Sequence, residues 1–74
     1  AHLAINISPA SLLDDRFVDD LLVRIRAVDP KQTRVTIEVT EFTAVRELDR
    51  LRRLGHDLRK MGHGLALDHF GQSF

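Results

Sequence analysis

Three short stretches that alternate apolar and polar residues, separated by two longer stretches of helical periodicity, constrain this chain more than any other feature. Residues 3–8 run Leu-Ala-Ile-Asn-Ile-Ser, placing Leu3, Ile5 and Ile7 on one parity and Ala4, Asn6 and Ser8 on the other. Successive strand side chains point to opposite faces, so this alternation predicts a half-buried strand. Residues 34–41 repeat the pattern, with Val35, Ile37 and Val39 on one face and Thr36, Glu38 and Thr40 on the other. Residues 64–68, Gly-Leu-Ala-Leu-Asp, supply a third strand.

The intervening stretches predict helices over about 9–28 and about 43–61. Ser8 followed by Pro9 suits a helix N-terminus, and Ser11 or the aspartates at 14 and 15 could restart it. Leu13, Phe17, Leu21, Leu22 and Ile25 recur at helical spacing, with aspartates and arginines between them, and Asp29-Pro30 stops the run. Thr43 can cap the second helix, whose apolar line is Val45, Leu48, Leu51, Leu54, Leu58 and Met61. Gly62 is a natural terminator, and Gly55 weakens the helix while permitting close packing.

Strand–helix–strand–helix–strand with helices of this length implies parallel pairing through right-handed crossovers, hence an α/β fold. The pattern opens almost inside a strand and stops in a loop, so the expectation is a portion of a barrel or doubly wound sheet within a longer parent. Composition narrows the chemistry. There is no cysteine, which excludes disulfides and thiolate metal sites. Lys+Arg and Asp+Glu both number 11, so no basic excess points to a DNA or RNA polymer as partner. No apolar run is long enough to span a bilayer and no signal peptide is recognisable, so a cytoplasmic setting is expected, with a membrane anchor left open for the parent.

Parity then singles out three residues. Asn6, Glu38 and Asp68 each fall near the C-terminal end of a strand, on the parity that carries small or polar neighbours. Adjacent parallel strands place such residues side by side at the rim where function concentrates in barrels. Two carboxylates and a carboxamide oxygen make a hard ligand set suited to Mg²⁺, Mn²⁺ or Ca²⁺. The alternative is an inward-facing polar layer whose members hydrogen-bond one another, or a capping carboxylate at a strand end.

The same residues resemble a known family. Ala4-Ile5-Asn6-Ile7-Ser8 resembles the "vNlS" strand of EAL domains, Glu38-Val39-Thr40-Glu41 their "E-[IVL]-T-E" strand end, and Leu65-Ala66-Leu67-Asp68-His69-Phe70-Gly71 their "ialDDFG". The three motifs stand in family order, 32 residues (6 to 38) and 30 residues (38 to 68) apart, and the resemblance covers residues 1–74. It implies the β-α-β-α-β portion of a (β/α)8 TIM-like barrel that binds the bacterial second messenger cyclic di-GMP. It further implies Asn6, Glu38 and Asp68 as ligands of Mg²⁺ or Mn²⁺, with Glu38 and Asp68 catalytic, and Glu41 as the residue that holds the loop after the Asp-Asp pair, here 69–74. A dimer of EAL modules and further signalling domains in the parent are the other partners it suggests.

Two positions depart from the family pattern. His69 replaces the second aspartate, and Gly71-Gln72-Ser73 replaces Gly-x-Gly. Histidine supplies neither the negative charge nor the oxygen that Mg²⁺ prefers. The expectation is therefore a catalytically impaired cyclic di-GMP receptor; the alternative is an active phosphodiesterase producing linear pGpG. The Glu-Ala-Leu motif and the later catalytic lysine and glutamate are not among these residues, so the segment alone is not expected to hydrolyse anything. For His2, His56 and His63 the expected roles are surface or capping ones, the charged run 46–53 reads as a solvated outer helix, and Phe70 and Phe74 read as loop anchors.

Overall fold

A computed structural model describes residues 1–68, the last of them through its backbone. The order is β1 (His2–Asn6), α1 (Pro9–Leu12), α2 (Asp15–Arg26), β2 (Arg34–Thr40), α3 (Glu41–Arg46), α4 (Leu48–Lys60) and β3 (Gly64–Asp68). The strands form one parallel sheet in the order β1-β2-β3. The odd-numbered residues of β2 explain the layering: Val35, Ile37 and Val39 are each at most 1% exposed, and they cluster with Leu12, Ile25, Leu51, Leu54 and Leu58 from the helices. Helices therefore cover one face of the sheet, and the even-numbered face is left with half-buried Thr36, Glu38 and Thr40.

Both predicted helices are broken, the first at Asp14, which caps the next helix, and the second at Glu47, which takes the N-cap position without a side-chain cap bond. Pro9 does start α1, with the Ser8 hydroxyl accepting from the Ser11 N–H, but α1 ends after one turn. Asp14 then adopts an extended conformation and its carboxylate accepts from the Phe17 N–H, restarting the chain as α2. The second region starts at Glu41 rather than at Thr43, because Thr40 is the N-cap and Thr43 supplies the N–H that Thr40 accepts. It breaks again at Glu47, whose φ of −125° and ψ of 46° are not helical. Val45 and Leu48, predicted to belong to the apolar line, are consequently 69% and 52% exposed, while Leu51, Leu54 and Leu58 carry the core. Gly55 is where Leu65 closes on α4; a Cβ there would lie 3.3 Å from the Leu65 Cδ2.

The turn from α4 into β3 has a definite cause. Gly62 has a φ of 84°, its N–H donates to the Arg59 carbonyl, and the His63 N–H donates to the Leu58 carbonyl. These two bonds make a Schellman cap, which needs the left-handed conformation at the glycine. His63 departs from the surface or capping role expected for it: it is 2% exposed. Its Nδ1 accepts from the Val35 N–H at 2.9 Å, and its Nε2 lies 3.1 Å from the Val28 carbonyl. The ring therefore ties the start of β2 and the turn after α2 to the start of β3. His2 and His56 are exposed, as expected, with His2 Nε2 2.8 Å from the Thr36 hydroxyl.

Candidate functional site

The strand register places the three singled-out residues on one face. Asn6 is the ladder partner of Glu38, and Glu38 is the partner of Ala66. Pairing runs past Asn6, because the Ile7 N–H donates to the Glu38 carbonyl at 3.0 Å. Asn6 is thereby clamped beside Glu38 at the strand spacing, about 4.8 Å. Asp68 shares their parity but is the partner of Thr40, not of Glu38. It stands one pleat, two residues or about 6.6 Å, further along the strand direction. The sequence reading put all three at one depth; the register offsets the third.

Asn6 is exposed and Glu38 half-buried. Among the described residues no side-chain hydrogen bond or ion pair engages either, whereas Thr36 and Thr40 on the same face are hydrogen-bonded. Also among the described residues, no three His, Cys, Asp or Glu side chains converge to hold a metal ion. Asn6 falls outside that set of residue types, and the Asp68 side chain outside the described atoms. Glu41 is the first residue of α3, one residue past the position that pairs with Asp68, so it stands where β3 runs out. His69, Phe70, Phe74 and the loop 69–74 lie outside the described residues.

Sequence reasoning missed one part of this end of the sheet. Thr40 and Thr43 are joined by their hydroxyl oxygens at 2.9 Å, and the Thr43 N–H donates to the Thr40 Oγ1 at 3.3 Å. The threonine spacing of three was the available signal, since an N-cap side chain reaches the N–H three residues on. The charged helices behave as expected for a wet outer surface: Arg50 joins Asp15 of α2 at 2.7 Å, with the Asp15 side chain 82% exposed.

A parallel sheet wound in one direction, helices on one face and oxygen-bearing side chains gathered on the other at the strands' C-terminal ends, is the α/β architecture that carries its chemistry at strand ends. The profile of the EAL domain family matches residues 1–74, and the chain belongs to that family. It is 33% identical over 72 residues to the "Cyclic di-GMP phosphodiesterase PdeB" of Shewanella oneidensis. That alignment covers 97% of this chain and 8% of the relative, so the chain spans less than a tenth of that protein's length. No solved structure matches the chain significantly. No helix among the described residues is long and apolar enough to cross a membrane.

Proposed function

We propose that this chain is the β-α-β-α-β portion of a (β/α)8 barrel that binds cyclic di-GMP and serves as a receptor for it, with hydrolysis impaired at His69. The observation that carries the reading is the register: Asn6 and Glu38 are ladder partners on the face turned away from the helices, and Asp68 follows on the same parity one pleat on. Winding in one direction, β1-β2-β3 with every crossover on one face, is what closure into a barrel requires.

The donor set fits divalent cations. Asn6 through its amide oxygen, and Glu38 and Asp68 through their carboxylates, would hold Mg²⁺ or Mn²⁺. When bound, such cations supply an activated water and stabilise charge on phosphoryl oxygens. The rest falls to the chain. Glu38 and Asp68 contribute the negative charge that retains the cations. Glu41, at the start of α3, would hold the 69–74 loop against the site. His69 brings an imidazole to a position that asks for an anionic oxygen, which weakens cation binding and leaves nucleotide binding in place. Dimerisation with another EAL module and attachment to further signalling domains belong to the same proposal.

An active phosphodiesterase is the second reading. The retention of Asn6, Glu38, Asp68 and Glu41 at the family's positions favours it, as does a relative named for that activity. The test compares the intact protein with its His69→Asp variant, measuring equilibrium binding of cyclic di-GMP beside formation of the linear dinucleotide with Mn²⁺. The receptor reading expects hydrolysis to rise at least about a hundredfold in the variant, since several kcal/mol of charge stabilisation return at about 1.4 kcal/mol per decade. Affinity should change little. Rapid hydrolysis by the unmodified protein would establish the second reading instead.

A further inference from the structure

Among the described residues two polar residues are buried, His63 and Thr43. The bonds of His63 lie at the end of the sheet remote from the strand-end site. Those of Thr43 lie at the site itself. We infer that Thr43 is a positioning residue of the strand-end site, acting through Thr40, and this rests on the metal reading above.

Thr43 is 3% exposed, deeper than an N-terminal capping position requires, and its hydroxyl oxygen is 2.9 Å from that of Thr40. Thr40 is the last residue of β2, shares its face with Glu38, and is the ladder partner of Asp68. Its Oγ1 also accepts the Thr43 N–H. Two bonds therefore fix one short side chain at the ladder position of Asp68, one pleat beyond Glu38 on the same face, and where the chain turns so that Glu41 heads α3. The Thr43 carbonyl accepts from the Glu47 N–H, which places the break between α3 and α4 under the same residue. A cap that served the helix alone would need the Thr40 oxygen and the Thr43 N–H. The buried second hydroxyl does nothing for the helix ladder; it sets the rotation of the Thr40 side chain.

Thr43→Val keeps the volume, the β-branch and the N–H, and removes only the hydroxyl. Thr43→Ser keeps the hydroxyl. In the intact protein, Mn²⁺ affinity read from the electron paramagnetic resonance of the free ion should fall about three- to tenfold in Thr43→Val, the range for losing one neutral hydrogen bond. It should return to within about twofold of wild type in Thr43→Ser. Thr40→Val, which removes the other half of the pair, should fall by a similar factor, and the double variant should lose no more than either alone. Equal affinity in wild type and Thr43→Val, weak binding in Thr43→Ser, or additive losses in the double variant would each overturn the inference and leave the metal reading standing. A wild-type protein that does not bind Mn²⁺ would overturn both. Should Thr43→Val not fold, the Thr40→Val and Thr43→Ser pair decides alone: weakened binding in the first with retention in the second supports the inference, and any other result overturns it.

Discussion

Replacing His63 with alanine should be among the most costly single changes in this chain. The ring is 2% exposed and is the partner of the Val35 N–H, and Val35 is itself 1% exposed, so no water can take the place of Nδ1 without entering the core. An unpaired buried donor costs about 1–3 kcal/mol. The half-buried Val28 carbonyl loses its partner as well, at a smaller cost because solvent can reach it. Removing an imidazole from a packed site adds a cavity contribution, and the sum comes to about 3–4 kcal/mol. That is a large share of the 5–15 kcal/mol typical of a domain. The bond pattern also fixes the tautomer: Nδ1 accepts, so the proton of the neutral ring is on Nε2, facing the Val28 carbonyl. His63→Asn, whose amide oxygen can accept the Val35 N–H, should recover about half of the loss. The assay is equilibrium urea unfolding of the intact protein, followed in the EAL domain, beside hydrogen exchange at the Val35 amide. A loss below about 1 kcal/mol in His63→Ala, or unchanged protection at Val35, would refute the latch.

Two further substitutions probe the frame. Gly62→Ala should cost about 2 kcal/mol or more in the same unfolding assay, because φ is 84° and the new Cβ would lie 2.8 Å from the Pro30 Cγ in a ring that cannot rotate away; a neutral result would mean that the α4–β3 turn differs from the one described. Arg50→Ala should cost less than about 1 kcal/mol despite the 2.7 Å contact, since Asp15 is largely exposed and screened, and a loss of about 3 kcal/mol would show that the α2–α4 contact holds the fold.

Strand identity and face were legible in the sequence because they depend only on parity. Val35, Ile37 and Val39 could not all be buried without turning Thr36, Glu38 and Thr40 to the other side, and Asn6 joined them by the same rule. Gly62 was legible as a terminator because a left-handed residue at a helix end favours glycine. What periodicity could not show was where a helix breaks without losing its pattern. Leu13 and Phe17 keep helical spacing across the Asp14 cap, and Val45 and Leu48 keep it across the Glu47 kink, so the apolar line reads as continuous while its members diverge in space. Thr40 and Thr43 are both competent caps, and only the backbone shows which one stands outside the helix. The offset of Asp68 was hidden for a different reason. Register between strands 30 residues apart is set by how α4 and its turn deliver β3 onto β2, and no local pattern encodes that. His63 was misjudged because its two partners, at 28 and 35, are distant in sequence.

The proposal that this EAL domain face reads cyclic di-GMP rather than consuming it is tested by titrating the intact, unmodified protein with cyclic di-GMP in Mn²⁺ while following linear dinucleotide formation in the same samples. Saturable binding with little or no product over many binding lifetimes is the predicted result. Absence of binding, or product formed as fast as the nucleotide binds, would contradict it.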